Sequence, residues 1–373
     1  MFVSHASLKN FRNFSNLRLD LRQGVNILCG PNAQGKTNFL EALYFGATGR
    51  SRRTSFEKEL ISFHAQESYM QLAVEKHGVT DRIDVHLRKD GPKGFAINGT
   101  PIRRLGDLFG ALLVVMFSPE DLQLVKNGPA ERRRFYDMEL CQLSQVYYYN
   151  IQQYYKVLKQ RNALLKRLQK NRDASLADSL SSWDEQLAAY GGKIIRHRMA
   201  FTEKISAFAN QIHQSMTDGK EQLTVLYKPN TTAEEFSDKL RRNAERDMLL
   251  GATSVGIHKD DAAFQINDLD ARVFGSQGQQ RTVSLSLKLA EIELIKEDKA
   301  ETPVLLLDDV FSELDASRQA CLLSSIAGVQ TILTCTGVED ILRAYGQKCE
   351  TTLYTVQKGE IWLANVEKSE EKA

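Results

Sequence analysis

The run Gly30-Pro31-Asn32-Ala33-Gln34-Gly35-Lys36-Thr37 has residue types and spacing suited to holding a triphosphate. Gly30 and Gly35 let the backbone fold round a phosphate, so that its N–H groups point inward at the positive end of the helix dipole that follows. Lys36 then reaches the β- and γ-phosphates and acts as the catalytic cation, while Thr37 offers its hydroxyl to a magnesium ion that so negative a ligand requires. A second feature is independent of the first. Pro303-Val304-Leu305-Leu306-Leu307 is continuously apolar, as in a strand buried on both faces, and ends in Asp308-Asp309. Asp308, at the carboxyl end of such a strand, is placed to hold the metal through its hydration shell.

These groups need elements to position them. The apolar run Val25-Asn26-Ile27-Leu28-Cys29 predicts a buried strand directly before the loop, and Asn38-Phe39-Leu40-Glu41-Ala42-Leu43-Tyr44-Phe45 predicts a helix after it, ending near Gly46 and Gly49. From 131 to about 216 the pattern is helical. Tyr147, Ile151, Tyr154, Leu158, Leu165 and Leu168 form one stripe. Trp183, Leu187, Tyr190, Ile194, Phe201, Ile205, Phe208 and Ile212 form another, broken at His197. Two amphipathic helices predict an antiparallel hairpin with its turn at 170–175, and His197 reads as a core or edge histidine.

Composition narrows the class. Lysine and arginine total 49 against 47 aspartate and glutamate, a formal charge of +2, so any polyanion binding must come from local patches. The candidates are Arg50-Ser51-Arg52-Arg53, Arg132-Arg133-Arg134, the lysines of 156–170 and Arg196-His197-Arg198. Each reads equally as a solvated helix face. The tyrosines of 147–149 read as packing rather than base stacking. The five cysteines are scattered without paired short spacing and read as reduced, buried thiols. No run of about eighteen apolar residues and no secretory leader is visible, so the expected location is the cytoplasm, with no membrane partner.

The strand ending in Asp308 and Asp309 resembles a Walker B element, and the surrounding motifs resemble those of ABC ATPases. Asp309 occupies the place of the glutamate that polarises the attacking water and is one methylene shorter, so the resemblance implies slow hydrolysis through Asp309. Ser312-Glu313-Leu314-Asp315 resembles the D-loop, with Ser312 and Asp315 its characteristic residues. Phe274-Gly275-Ser276-Gln277-Gly278-Gln279-Gln280-Arg281, before a helix-like run, resembles the signature loop, in which Ser276, Gln277 and Gly278 would reach the γ-phosphate held by a second subunit. Plain helix capping by Ser276 is the other reading of that segment.

Over almost the whole length, Phe11-Arg12-Asn13-Phe14, the 30–37 loop, Phe117-Ser118-Pro119-Glu120-Asp121-Leu122, Ala130-Glu131-Arg132-Arg133-Arg134-Phe135 and the 275–281 segment resemble the RecF family. That resemblance implies an SMC-like ABC ATPase that takes ATP and Mg2+ and binds gapped, single-stranded or double-stranded DNA as an ATP-dependent homodimer. It also implies loading of recombinase at gaps, with RecR and RecO as partners. Departures are visible. Ile257 and Lys259 replace the usual Pro and Arg around His258, and that loop reads as structural. Thr334 and Thr336 stand where transporters place a histidine switch, and Gln123 is the one candidate for a Q-loop residue.

The fold class expected is α/β, an ABC-type P-loop head in which a mixed sheet is flanked by helices. Residues 1–117 and 267–373 form the head, and 118–266 form an inserted helical lobe with a short antiparallel hairpin. The hairpin separates this chain from a transporter ATPase, and an ATP-gated recruitment module without a direct DNA role is the other alternative.

Overall fold

The computed structural model describes residues 1–171, 179–311, 314–337 and 351–364. The chain divides into two compact units, Met1–Asp121 with Glu291–Ala373 and Leu122–Ala290. Each has its own core.

The first unit holds two sheets. One is wholly antiparallel, in the order β2-β1-β4-β5-β6-β7, made of β1 (Phe2–Phe11), β2 (Phe14–Asp20), β4 (Glu67–Lys76), β5 (Val79–Arg88), β6 (Gly94–Ile97) and β7 (Thr100–Pro101). Alternation along these strands buries one face: Met70, Leu72 and Val74 of β4 and Ile83, Val85 and Leu87 of β5 point inward. The other sheet runs β15-β14-β3-β13-β12-β8, from β3 (Val25–Cys29), β8 (Val114–Phe117), β12 (Val304–Asp308), β13 (Thr331–Cys335), β14 (Thr351–Gln357) and β15 (Glu360–Leu363). All but β15 run parallel, so their carboxyl ends share one edge. The expected mixed sheet is present as the second of these, and the first unit holds an antiparallel sheet as well. The hairpin partners β1–β2, β4–β5, β5–β6 and β6–β7 pair antiparallel, whereas β3, β8, β12, β13 and β14, mostly far apart in sequence, pair parallel.

The expected loop strand and carboxylate strand are both present, and they are not neighbours. Strand β13 lies between them, in register with both: Cys335 opposite Cys29 and Thr334 opposite Asp308. Helix α1 (Lys36–Thr48) follows the loop and buries Phe39, Leu40, Leu43 and Phe45 completely. It ends at Gly49, whose φ of 65° is left-handed and lets its N–H close on the Phe45 carbonyl.

The second unit is not only helical. Helices α2 (Pro129–Leu143), α3 (Gln145–Lys170) and α4 (Leu180–Met216) accompany a small antiparallel sheet, β11-β10-β9, of β9 (Leu223–Lys228), β10 (Asp261–Ile266) and β11 (Leu269–Asp270). Helices α5 (Phe236–Arg242) and α6 (Ala244–Leu250) complete it, and α7 (Gln277–Lys299) begins in it. The return to the first unit falls within α7, at Ala290/Glu291, beyond the expected position of Asn267. The reason is local: Ser286 of α7 meets His213 of α4 at 3.2 Å, and the Lys288 ammonium stands 3.8 Å from Glu139 of α2.

Helices α3 and α4 run antiparallel, since Arg161 meets Asp184 while Tyr147 meets Arg198. Their apolar stripes have one gap each, and each gap holds a buried arginine. Arg161, between Leu158 and Leu165, is 0% exposed and binds Asp184 at 2.5 Å and Asp247 at 2.7 Å. Arg198, between Ile194 and Phe201, is 1% exposed and binds Asp137 at 2.7 Å and Asp260 at 2.8 Å. Arg198 fills the break assigned to His197, which sits at the edge against Tyr147. The turn expected at 170–175 lies largely outside the described residues.

Candidate functional site

The site forms at the carboxyl edge of the parallel sheet in the first unit, where α/β sheets collect ligands. A cavity of about 380 Å³ is lined by Asn32, Ala33, Gly35, Lys36, Thr37 and Asn38 from the loop and α1, with Arg53, Asp308, Asp309 and Thr334. The loop and the carboxylate pair, singled out separately in the sequence, therefore meet in one cavity.

The loop is held from both sides. Gly35 has φ +120°, and a Cβ there would come within 2.6 Å of the Asn13 amide nitrogen, so no side chain fits. The Asn13 side chain donates to the Gln34 carbonyl at 2.8 Å and accepts from Asn38 at 2.7 Å. On the other side, at the β14–β15 turn, Lys358 N–H donates to Gln34 Oε1 at 2.7 Å and Gly359 N–H to the Gln34 carbonyl at 3.1 Å. The Lys36 ammonium donates back to the carbonyls of Gly30 at 2.5 Å and Pro31 at 2.9 Å, drawing the loop into a ring. Gly30 packs flush against β14, where an added Cβ would collide with the Val356 carbonyl oxygen. Gly30→Ala is accordingly expected to lower stability by about 1–3 kcal/mol through overpacking, read as a lower thermal unfolding midpoint.

Opposite the loop, one oxygen of Asp308 gathers two hydroxyls: Thr37 Oγ1 donates to Oδ1 at 2.8 Å and Thr334 Oγ1 at 2.9 Å. Burial pushes the Asp308 carboxyl above its usual range, the two hydroxyls offset part of that rise, and the nearby charges of Glu120 and Asp309 add to it. Asp309 follows with φ 52°, a left-handed backbone that non-glycine residues adopt sparingly and that recurs at functional sites. Its N–H donates to Thr334 Oγ1 at 2.9 Å. Thr334, which stands where transporters place a histidine switch, thus ties Asp308 and Asp309 together.

Arg53 was read only as part of a basic cluster and lies in this cavity, donating to Asn38 Oδ1 at 2.9 Å. Its neighbour Arg52 turns inward to Asp121 at 2.5 Å and the Met116 carbonyl. The Phe11-Arg12-Asn13-Phe14 segment also acquires a physical role: Arg12 grips buried Glu41 of α1 with Nε and Nη2, at 2.9 and 3.0 Å. No spacing rule links Arg53 or Asn13 to the loop, because both come to it through tertiary folding.

The remaining residues stand elsewhere. Asp315 caps helix α8 (Ala316–Ser325), accepting from Arg318 N–H at 3.0 Å. Ser312 lies outside the described residues, as does the side chain of Gln123. In the second unit Ser276 and Gln279 form a reciprocal cap on α7: Gln279 N–H donates to Ser276 Oγ at 3.2 Å and Ser276 N–H to Gln279 Oε1 at 2.8 Å. Ser276 and Gln277 are exposed beside Val273 and Phe274, which are 67% and 68% exposed. His258 accepts or donates with Tyr154 at 2.9 Å and the Thr253 carbonyl at 3.1 Å, and burial lowers its pKa, the profile of a structural histidine. Three basic clusters lose members to internal ion pairs: Arg52 and Arg198 as above, and Arg132, which chelates Asp261 at 2.7 and 3.1 Å.

Comparison with known proteins agrees with this architecture. Residues 2–349 match the RecF/RecN/SMC N terminal domain. The DNA replication and repair protein RecF of Lachnoclostridium phytofermentans is 49% identical over 362 residues, 97% of this chain and 99% of that one. That of Clostridium acetobutylicum is 44% identical over 346 residues, 91% and 94% of the two chains. A solved structure of the recombination mediator protein RecF with ATP, from the RecFOR pathway, has a TM-score of 0.89 at 33% identity and covers 97% of each chain. An SMC head bound to the C-winged helix domain of ScpA has a TM-score of 0.57 at 14% identity over 99% of each, a likeness of fold alone. With the 30–37 glycine loop and a strand-end carboxylate joined in one cavity, and near-complete coverage by these relatives, the chain belongs to the RecF family.

Proposed function

We propose that this chain is an ATP-dependent DNA-binding protein of replication and recombinational repair, with ATP and Mg2+ held at residues 30–37 and Asp308. The observation that carries the reading is the convergence of the Thr37 and Thr334 hydroxyls on one oxygen of Asp308, within the cavity lined by Lys36 and Arg53. The donor set fits the group: two cations and inward backbone for phosphate, and a hydroxyl with a carboxylate for a hard, oxygen-seeking cation.

Magnesium supplies charge neutralisation and Lewis acidity at the phosphates. The chain's own residues do the rest. Lys36 turns from the Gly30 and Pro31 carbonyls toward the phosphate oxygens, and Arg53 offers a second positive wall. Asp309, held by Thr334, orients and polarises a water; its short side chain and strained backbone favour slow hydrolysis. Ser276, Gln277 and Gly278, presented at a helix start beside exposed Val273 and Phe274, meet the nucleotide of a second copy, so that ATP favours a homodimer.

Closure of the dimer on ATP forms a clamp for gapped, single-stranded or double-stranded DNA in the cytoplasm, at the nucleoid, with RecR and RecO as partners in recombinase loading. Among the described residues no helix is long and apolar enough to cross a membrane. Backbone contacts dominate DNA binding, which makes it salt-sensitive and nearly sequence-independent.

Sedimentation and gapped-DNA binding of the wild type and Lys36→Arg, with and without Mg·ATP at two salt concentrations, test the reading. ATP-driven dimerisation and salt-sensitive DNA retention are expected in the wild type, with the coupling lost in the variant. DNA binding that ignores ATP in the wild type would overturn the clamp and leave a nucleotide-gated recruitment module.

A further inference from the structure

Two cysteines remote in sequence stand side by side immediately beneath the phosphate loop. Cys29 is the last residue of β3 and Cys335 the last of β13, and the two are register partners in neighbouring parallel strands. Directly paired residues of neighbouring strands point to the same face, so the two thiols share one side of the sheet. Neighbouring strands lie about 4.7–4.9 Å apart, within the span of roughly 4.4–6.8 Å between Cα atoms that a disulfide bridges. The pair is reduced in the structure. Its position is the notable part: Cys29 precedes Gly30, whose N–H donates to the Cys335 carbonyl at 3.3 Å, and Cys335 follows Thr334, which holds Asp308 and Asp309.

We propose that Cys29 and Cys335 are a peroxide-oxidised thiol pair whose disulfide switches off nucleotide binding at the adjoining loop, an inference that rests on the nucleotide reading of that site.

The chemistry balances with a hydroperoxide as oxidant. The Cys29 thiolate attacks the terminal oxygen, the O–O bond breaks, and the leaving alkoxide takes up the proton the Cys29 thiol released, so that the products are a sulfenic acid and an alcohol. Cys335 sulfur then attacks the sulfenic sulfur, the S–O bond breaks, and water leaves with the Cys335 proton. Two thiols lose two electrons to one peroxide, and a dithiol reductant reverses the change. The order follows from access. Cys29 is half-buried, whereas Cys335 is 5% exposed, and burial with the adjacent Cys29 pushes its thiol up to about 12, which suits it to resolving rather than initiating.

The effect follows from geometry. A disulfide needs its Cβ atoms about 3.8 Å apart, closer than unconstrained strand neighbours, so bond formation draws the ends of β3 and β13 together. Those ends carry the Gly30 carbonyl that anchors Lys36 and the Thr334 hydroxyl that anchors Asp308. Both walls of the cavity shift with one bond.

The full-length protein, wild type, Cys29→Ser and Cys335→Ser, would be treated with tert-butyl hydroperoxide and then with dithiothreitol. Disulfide-linked peptides would be mapped by mass spectrometry and affinity for a fluorescent ATP analogue measured at each stage. A Cys29–Cys335 linked peptide is expected in the wild type alone, with affinity falling at least tenfold and returning on reduction, while both serine variants keep their affinity. The proposal is overturned if no such peptide forms while Cys321, half-buried like Cys29, is oxidised, if it forms without loss of affinity, or if the serine variants lose affinity equally. Reduced wild type that binds no analogue while the linked peptide still forms would instead sink the nucleotide reading, and the switch with it.

Discussion

Asp308→Asn is expected to reduce magnesium-dependent ATP hydrolysis by about 100-fold or more, since the proposed magnesium site would rest several kcal/mol of charge stabilisation on that carboxylate, while making the nucleotide-free protein more heat-stable. The second half comes from the electrostatics of the cavity. Asp308 is buried close to Asp309 and Glu120, and burial holds its carboxyl above the usual aspartate range. A folded-state pKa above the unfolded one means that the native protein binds more protons in that window. Stability is therefore greatest below the unfolded pKa and declines as pH rises toward the raised one. An asparagine still accepts from the Thr37 and Thr334 hydroxyls and escapes that decline. Thermal midpoints of both proteins at pH 4 and pH 7 would show the gap widening upward in pH. Equal midpoints at both values would show that the carboxylate stores no such strain.

The largest stability effect is expected at Arg198→Met. Breaking a buried pair by removing one partner costs about 3–5 kcal/mol, because the surviving charge is left uncompensated. Arg198 gathers Asp137 of α2, the Tyr147 hydroxyl of α3, and Asp260 with the Ile257 carbonyl. Asp260 is itself 1% exposed, and its carboxyl is already raised by burial. Asp260→Asn added to Arg198→Met should recover part of the loss. Unfolding in urea, followed by tyrosine fluorescence, measures both. Additive losses in the double variant would mean that the two side chains are not energetically paired.

The phosphate loop, its flanking strand and helix, and the strand ending in Asp308 were legible because each depends on local pattern: a glycine spacing, an apolar run, a periodic helix. What could not be read is what sequence distance hides. Arg53 and Asn13 reach the loop only through the fold, and Cys29 and Cys335 read as scattered thiols until strand register set them side by side. Arginines in the stripe gaps at 161 and 198 were passed over because a charge at an apolar position reads as surface. Burial with paired aspartates reverses that reading, and the basic clusters containing Arg132 and Arg198 are correspondingly weaker candidates for phosphate contact. The lobe's small sheet was obscured by short strands amid strongly helical flanks.

The insertion of β13 between β3 and β12 bears on how the protein is made. During synthesis the Gly30 loop leaves the ribosome early, whereas its carboxylate partner is 271 residues further along and the strand that joins them later still. The apolar β3 must therefore wait, unpaired on both edges, while the whole intervening unit is translated and free to fold. Non-local parallel pairing of this kind is slow and leaves strand edges open to other chains. Nascent chains halted before Thr331 should hold a folded middle and no nucleotide site, and they are the species for which chaperone protection matters most.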